Sequence, residues 1–207
     1  MARSDFKNLN ESINAIGRNK IMIAEIIEVL QFLIDKIDIK ELPISLPYSQ
    51  PLMIHSRYTR EQILVAFGLS TFEIKSSNRE GVAENKNLNT EVLFIDLIKS
   101  EEDFSPSTMY NDFAINESLF HWQTQNATRS DTGKGLTYIN HESLNKKILL
   151  FVREKSKDEF GNTMGYIFLG DGKIKSYTGT KPMNITWELK TPMHNFILNQ
   201  SAKLASA

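Results

Sequence analysis

The chain has 207 residues, of which 41% are hydrophobic and 24% charged, a composition typical of one large globular domain or of one domain with a helical appendage. It contains no cysteine, which excludes disulfides, Cys-ligated zinc and thiol nucleophiles. The net charge is −1, but residues 1–120 hold 12 Lys and Arg against 18 Asp and Glu, whereas residues 121–207 hold 12 against 7. A basic second part is compatible with a polyanionic partner.

The four histidines are far apart in the sequence, so they do not predict a metal site. No apolar run reaches 18 residues, and the N-terminus carries Asp5, Lys7 and Glu11 where a signal peptide would be apolar. We expect a soluble, cytoplasmic protein with no membrane partner, no metal and no other cofactor.

The first 40 residues are predicted to be helical. Apolar residues recur at alternating spacings of three and four, and they are Leu9, Ile13, Ile16, Ile23, Ile27, Leu30, Ile34 and Ile37. Residues 17–19 divide a short helix from a longer one over roughly 20–37. Two interpretations remain open: a helical pair packed on the rest of the chain, or a linker that docks a neighbouring domain or a second copy.

Three prolines in residues 41–51 predict an extended connector, which divides the chain into a helical segment at 1–40 and a second domain at 41–207. A helix follows the connector. Thr59 and Gln62 have the spacing of a capping box, and Gly68 is expected to end the helix.

The pattern then changes to short strands rich in β-branched and aromatic residues, at 90–99, 147–154, 166–170, 173–179 and 184–190. No strand–helix–strand alternation and no phosphate-binding glycine loop occurs. The predicted fold class is therefore α+β, with a helical N-terminal segment followed by a compact, mostly β barrel or sandwich.

Catalysis has little support in the sequence. Asp96 and Lys99 are three residues apart, whereas metal-dependent nucleases need a carboxylate and a lysine two apart on one face of a strand. No G-x-S-x-G nucleophile elbow occurs either. We expect a non-catalytic chain.

Residues 109–126 combine rings with hydrogen-bonding side chains. Stacking a planar base between aromatics while an Asp and an amide read its edge requires this mixture. In the alternative interpretation, Phe113, Phe120 and Trp122 are core residues, and the Asn and Gln side chains tie loops together.

Several sequence blocks together resemble the C-terminal domain DUF3427 of DEAD/DEAH-type helicases, over about residues 42–193. They lie at 51–68, 78–82, 104–126, 148–154, 166–170 and 179–189. Within that family the chain resembles the C-terminal part of SauUSI-like type IV restriction endonucleases, which join a nuclease, a helicase and this domain and cut DNA carrying 5-methylcytosine or 5-hydroxymethylcytosine.

The resemblance implies that the chain reads modified cytosine in double-stranded DNA through an SRA- or PUA-like barrel. It has neither an H-x-K nuclease motif nor a helicase motif, so cleavage and ATP hydrolysis would lie in the helicase and nuclease domains of a parent chain. Those domains are the expected partners besides DNA, and a homodimer is left open.

Residue chemistry then selects candidates for each contact. Asp112 is expected to accept from the cytosine amino group, assisted by His121 or Gln123, and the expected stacking or wall residues are Tyr110, Phe120, Trp122 and Tyr138. The candidates for phosphate contacts are Arg57, Arg79, Arg129, Lys134, Lys146, Lys147 and Arg153. The polar, glycine-containing segment 126–135 is a candidate for a loop that enters a DNA groove.

Two other functions remain. The chain can instead couple the helicase to the nuclease, or dimerise the enzyme through residues 9–37. A divergent nuclease would need carboxylates that converge near Asp96. A DNA reader requires a concave pocket with a basic rim, lined by aromatics of residues 109–126, whereas a coupling module tolerates their complete burial.

Overall fold

The computed structural model describes residues 8–34, 41–71, 73–98, 112–195 and 198. The chain forms two compact units, Met1–Lys40 and Glu41–Ala207, which we call the N-terminal unit and the β unit. Tyr110 and Lys99 lie outside the described residues.

The N-terminal unit contains two helices, α1 at Leu9–Arg18 and α2 at Lys20–Ile34, which confirms the predicted helices and their division. The side chain of Asn8 accepts a hydrogen bond from the Glu11 amide at 3.0 Å and caps α1. Asn19 lies between the helices, and its side chain accepts from the Met22 amide at 3.0 Å, so α2 begins there. Neither helix buries a single residue.

The β unit holds two short helices and ten strands within the described residues. In chain order they are β1 Leu42–Pro43, β2 Met53–Ile54, β3 Arg57–Tyr58, α3 Arg60–Ala66, β4 Val82–Asn85, β5 Thr90–Asp96, β6 Phe113–Ala114, β7 Leu119–Gln123, α4 Gly133–Ile139, β8 Lys147–Arg153, β9 Tyr166–Thr178 and β10 Asn184–Leu189. Helices at the N-terminus followed by a mostly β domain confirm the predicted α+β class.

Eight strands form one sheet in the order β4-β5-β8-β9-β10-β7-β6, with β3 also paired to β9. The β5–β8 pair is parallel, and the other pairs are antiparallel. All seven residues of β5 are buried, as expected for a parallel strand that is covered on both faces.

Strand β9 is 13 residues long, although the sequence predicts two separate strands there. Its first part pairs with β8 and β3, and its second part pairs with β10. Gly170, at φ +97°, lies where the pairing with β8 shifts register. At Gly172 a Cβ would lie only 2.9 Å from Leu150 Cδ1. These glycines are therefore positions of a bulge and a close contact inside one strand, not ends of strands.

The central strands contribute to two cores because successive side chains point to opposite faces. On one face, Leu93 and Leu150 pack in one cluster with Trp122 and Trp187 of β7 and β10. On the other face, Phe94 and Phe151 form a cluster with residues of α3. Since β5 and β7 are not neighbours in the sheet, a shared core requires the sheet to curl over on itself.

The longer helix of the N-terminal unit, α2, has 15 residues. Across residues 8–34, 41–71, 73–98 and 112–195, no helix is long and apolar enough to cross a membrane.

Candidate functional site

A cavity of about 470 Å³ opens in the β unit between residues of α3, the start of β4, the ends of β5, β7 and β8, and the start of β9. The buried members of its lining are Val82, Phe94, Asp96, Asp112, Trp122 and Tyr166. The exposed members, which form its mouth, are Glu61, Arg79, Glu80, Gly81, Gln125 and Thr163. Aromatic rings and carboxylates are therefore deep in the cavity, which we call the pocket, and mixed charges are at its entrance.

One wall of the pocket is built from two rings, each covered by an arginine. The rings of Phe94 and Tyr166 meet edge to face at 5.2 Å between centroids. The Arg60 guanidinium carbon lies 3.9 Å from the Phe94 ring centroid, and that of Arg153 lies 4.4 Å from the Tyr166 centroid. Arg153 also binds Asp96 through two bonds, of 2.6 and 2.9 Å.

The ionisation of this wall follows from its burial. Burial, with the nearby Asp96 carboxylate as the second cause, raises the pKa of Tyr166 to about 12. Tyr166 is therefore a neutral phenol at physiological pH. The wall offers an apolar ring surface beside a carboxylate whose charge is already matched by Arg153.

Arg60 connects the start of α3 to the segment that precedes β4. Its Nη2 donates to Asn78 Oδ1 at 2.6 Å and to the Glu80 carbonyl at 2.5 Å. Its buried Nε has no hydrogen-bond partner among the described residues, and burial lowers the pKa of Arg60. The predicted capping box is present, because Thr59 Oγ1 accepts from the Gln62 amide and the Gln62 side chain accepts from the Thr59 amide. The cap fixes the helix turn that carries Arg60.

A second part of the lining comes from Asp112 and from the end of β7. The Asp112 side chain is buried, and its Oδ1 accepts from the Gln123 amide at 2.8 Å. Trp122, the preceding residue, lines the pocket and packs its ring against Tyr138 and Trp187, at centroid distances of 5.4 and 6.2 Å. Trp122 is therefore a core residue that also lines the pocket.

The structure brings Asp112, Trp122 and Gln123 together in the pocket, but not Phe120, His121 or Tyr138. Phe120 is fully buried in the core, on the same face of β7 as Trp122. Tyr138 is also in the core, and its hydroxyl donates to Glu91 Oε1 at 2.5 Å.

His121 lies on the other face of β7, because side chains alternate along a strand. Its ring stacks on that of Phe113 at 4.7 Å, and it does not line the pocket. Tyr110 lies outside the described residues.

Two of the expected phosphate contacts, Arg79 and Arg153, line the pocket. Lys146 is buried, ion-paired with Glu84 and 3.7 Å from Glu91, so its geometry suits a structural role and not a contact with a phosphate in solvent. Lys134 pairs with the same Glu91 at 3.3 Å, which ties α4 to β5.

The remaining expected phosphate contacts are outside the pocket. Arg129 forms an exposed pair with Asp131 at 2.7 Å, within the segment 126–135. Lys147 lies 3.7 Å from Asp171, and Arg57 is exposed on β3.

Sequence reasoning missed Arg60, Phe94 and Tyr166 as pocket residues. Arg60 lies in a helix that was predicted from its cap, and Phe94 and Tyr166 lie in strands that were predicted from their apolar residues. The mouth of the pocket also differs from expectation, because Arg79 is accompanied by Glu61 and Glu80, which makes the rim mixed in charge and not basic.

Carboxylates near Asp96 do not form a metal site in the described part of the chain, where no group of three or more His, Asp or Glu residues is placed to hold an ion. Asp96 itself is held by Arg153.

Six chains of solved structures are similar to this one. They include the SUVH5 SRA domain with hemi-methylated CG DNA, at a TM-score of 0.42 and 11% identity, covering 72% of this chain and 96% of that one. The SUVH5 SRA domain with fully methylated CG DNA has a TM-score of 0.41 and 10% identity, with the same coverage. The complex with methylated CHH DNA has a TM-score of 0.40 and 11% identity, covering 70% and 91%.

No curated protein sequence matches this chain. A family model does match, the domain of unknown function DUF3427, and the match extends from residue 52 to residue 200. It includes the pocket residues of α3 and of β4, β5, β7, β8 and β9. Because this match covers most of the sequence, the chain belongs to the DUF3427 family.

Proposed function

We propose that the β unit binds double-stranded DNA and holds a modified cytosine, 5-methylcytosine or 5-hydroxymethylcytosine, in the pocket. The observation that carries this proposal is the buried carboxylate of Asp112 beside Trp122, in a cavity of about 470 Å³ that also contains the rings of Phe94 and Tyr166. Small-molecule sites occupy clefts of about 300–1,000 Å³ with apolar walls and a few polar groups, so the size suits a base with its sugar.

The polar groups of the pocket match the hydrogen-bonding edge of cytosine. Cytosine has an amino donor and two acceptors on its Watson–Crick edge, and that edge is accessible only when the base has left the duplex. A carboxylate offers about four acceptor sites, and Oδ1 of Asp112 accepts from the backbone amide of Gln123. The side-chain amides of Gln123 and Gln125 also line the pocket, and they donate to Asn184 at 3.2 Å and to Glu80 at 3.5 Å. Each amide group has a second N–H, which would serve the ring nitrogen or the carbonyl oxygen of the base.

Discrimination of the modification depends on the apolar part of the lining, which is formed by Val82, Phe94 and Trp122. One buried methyl group contributes about 1 kcal/mol, which corresponds to about fivefold in affinity. Aromatic stacking contributes about 1–3 kcal/mol per base and offsets the few kcal/mol that extrusion of the base costs.

The rim of the pocket is mixed in charge and lacks the basic character expected of a DNA reader, so the proposal assigns phosphate contacts to individual exposed cations. Arg79 at the mouth of the pocket and Arg57 on β3 are candidates, because both side chains are exposed. Three other candidates are paired with carboxylates in the structure and would have to leave them to bind a phosphate: Arg129, Lys134 and Lys147. Arg153 is better suited to holding Asp96 and Tyr166 in place.

In this proposal the chain is the non-catalytic target-recognition domain of an ATP-dependent type IV restriction endonuclease. The family resemblance of the sequence blocks supports it, since those enzymes carry this domain behind a helicase and a nuclease. DNA cleavage and ATP hydrolysis then belong to those domains of the parent protein.

The test is the affinity of the whole chain for one duplex in unmodified, 5-methylated and 5-hydroxymethylated forms, at one fixed salt concentration. We expect the modified forms to bind at least about fivefold more tightly. Asp112→Asn should weaken binding of the modified duplex at least about tenfold, because a hydrogen bond to a charged group is worth about 1.5–3 kcal/mol. It should leave the dependence of affinity on salt unchanged, because that dependence reports phosphate contacts.

The matched control is Glu142→Gln, which removes an exposed carboxylate that pairs with Lys173 at 2.7 Å and does not line the pocket. Thermal unfolding of both variants checks that they fold. Equal affinity for all three duplexes, falling steeply with salt, would mean that the chain contacts only phosphates, and the proposed base recognition would be wrong.

A second candidate function has its own observation in the N-terminal unit. Exposed apolar side chains cover α1 and α2, among them Ile13, Ile21 and Ile27, whose exposed fractions are 55%, 74% and 59%. An apolar surface of this extent on a helix pair indicates contact with another protein surface. We infer that this unit couples the chain to a neighbouring domain or a second copy, and both functions can reside in one chain.

Light scattering of the chain and of the double variant Ile13→Lys, Ile27→Lys tests the dimer form of this inference. A wild-type dimer that the variant converts to a monomer supports self-association. A monomeric wild type excludes the homodimer and leaves either the rest of the same chain or a domain of the parent protein as the partner.

A further inference from the structure

The proline-containing segment near the start of the β unit, residues 42–50, lies against the core as an extended strap. Side chains alternate along it, with every second one partly buried and those between them exposed. Only its first two residues pair with another strand, which is β2. Four side chains of the strap pack against the core cluster that includes residues of α3: Leu42, Ile44, Leu46 and Tyr48. Side-chain contacts therefore hold most of the strap in place.

Tyr48 anchors the strap to the start of β5. Its hydroxyl lies 2.6 Å from Thr90 Oγ1. The Thr90 hydroxyl donates its single hydrogen to the Leu88 carbonyl at 2.9 Å, so Tyr48 is the donor in its pair with Thr90. A directed hydrogen bond thus adds to the apolar contacts of the strap and fixes the position of the Tyr48 ring.

A continuous series of aromatic contacts leads from the strap to the pocket. The Tyr48 ring meets Phe67 edge to face at 6.4 Å between centroids. Phe67 meets Phe151 at 6.2 Å, and Phe151 meets Phe94 at 6.3 Å. Phe94 and Tyr166 form the aromatic wall of the pocket. Because close-packed side chains transmit strain, displacement of the strap changes the support of this wall.

Open space borders the strap. A cavity of about 470 Å³ is lined by residues of the strap itself. Another, of about 670 Å³, lies between residues 45–47 of the strap and residues of the α4–β8 connection, β8 and β9, among them His141 and Gly172. A segment with few buried contacts belongs to the parts of a protein that open locally at low cost. The strap can therefore leave the core without disrupting the large sheet.

We infer that the strap positions the aromatic wall of the pocket, so that release of the strap weakens the grip on a modified base, and a base in the pocket holds the strap against the core. This inference rests on the proposed base recognition. The strap follows the N-terminal unit in the chain, so it is the covalent link between that unit and the pocket. Linkage makes the two effects equal in size, with coupling factors of typically about 5- to 150-fold.

The first measurement is the affinity of the whole chain for one duplex in unmodified and 5-methylated forms, at one fixed salt concentration. The released variant is Leu46→Asp combined with Tyr48→Asp, because two carboxylates are costly to place against an apolar core. The matched control is Ser45→Asp combined with Ser49→Asp, which adds the same charges at exposed positions of the strap. Tryptophan fluorescence and thermal unfolding check that both variants fold.

We expect the released variant to bind the 5-methylated duplex about 5- to 150-fold more weakly than the wild type does. Its affinity for the unmodified duplex should change less than about twofold, because phosphate contacts do not depend on the aromatic wall. The control variant should bind both duplexes like the wild type.

The second measurement uses the wild-type chain and follows chymotrypsin cleavage of the peptide bond between Tyr48 and Ser49 by mass spectrometry. The protease takes an aromatic side chain into its specificity pocket, so it cuts this bond only when the Tyr48 ring has left Phe67. When the strap returns to the core faster than it is cut, the cleavage rate reports the released fraction. The 5-methylated duplex should slow the cleavage by the factor found for the affinity, and the unmodified duplex at equal occupancy should slow it much less.

Three results would overturn the inference, and they are distinguishable. If the released variant keeps the wild-type preference for methylated DNA, or if both duplexes slow the cleavage equally, the strap is not coupled to the pocket and the base recognition stands. Equal loss of affinity for both duplexes would give the strap a general structural role. A wild type without any preference for modified DNA would overturn both the recognition and the inference. Since the cleavage measurement needs no variant, it decides the question even if the released variant does not fold.

Discussion

The ion pair between Arg153 and Asp96 offers the most direct measurement of how the pocket is held together. The structure shows two bonds, of 2.6 and 2.9 Å, between side chains that are only 12% and 8% exposed. Arg153→Met keeps the apolar stem above Tyr166 and removes the charge. It leaves Asp96 buried without its guanidinium, and breaking a buried pair in this way costs about 3–5 kcal/mol of the free energy of unfolding.

For a chain of this length, 1 kcal/mol corresponds to about 2–4 °C in melting temperature, so the variant should melt about 6–20 °C lower. Urea denaturation followed by tryptophan fluorescence gives the free energy itself. Trp122 and Trp187 are both in the core, and they report unfolding of the β unit.

Two further variants separate this explanation from a general loss of structure. Asp96→Leu combined with Arg153→Met removes the unpaired carboxylate, so the double variant should be more stable than Arg153→Met alone. Arg129→Met breaks the fully exposed pair with Asp131 and should leave the unfolding midpoint unchanged. A loss below about 1 kcal/mol for Arg153→Met, or a double variant less stable than the single one, would refute the reasoning.

Two other predictions concern stability. His141 is buried, Ile174 donates to its Nε2 at 3.2 Å, and burial lowers its pKa, so the folded state favours the neutral ring. The contribution of His141 to the free energy of unfolding should be complete above the pKa of the unfolded state, about 6.5, and should decrease as the pH falls from there towards the lower pKa of the folded state. His141→Gln should flatten this part of a curve of unfolding free energy against pH. An unchanged curve would exclude His141 as the titrating group. Thr59→Ala removes the cap of α3 and should lower the free energy of unfolding, measured by urea denaturation, by about 1 kcal/mol, whereas Thr59→Ser should retain most of it. If both variants were as stable as the wild type, the cap would contribute nothing to stability.

Local patterns in the sequence predict helices α1, α2 and α3 and the four longest strands of this fold. The two helices before residue 35, the capping box at Thr59 and the strands at β5, β8 and β10 follow from periodicity and from residues that cap or end a helix. Strands β4, β6 and β7 and helix α4 were not predicted. Strand β9 differs in extent, because glycines that indicated a break lie inside a continuous strand. Glycine marks a special backbone position, and only the neighbouring strands decide whether it is a turn or a bulge.

The residues of the candidate site could be predicted from the sequence only in part. Asp112, Trp122 and Gln123 were predicted together because they are close in the sequence and chemically suited to a base. Phe120 has the same chemistry, but the curl of the sheet encloses it in the core. Lys146 was expected at a phosphate, yet the carboxylates of Glu84 and Glu91 on neighbouring strands surround it.

The sequence by itself therefore determined what depends on near neighbours: helices, strands, caps, and the family to which residues 52–200 belong. The tertiary structure alone decided which side chains share the pocket, because Arg60, Phe94, Trp122 and Tyr166 are on different elements far apart in the chain. It also decided which charges are matched, since Arg153 and Asp96 meet only when β8 pairs with β5. The physical reason is that burial and charge pairing depend on contacts across the sheet, whereas sequence periodicity reports only the direction of a side chain from its own helix or strand.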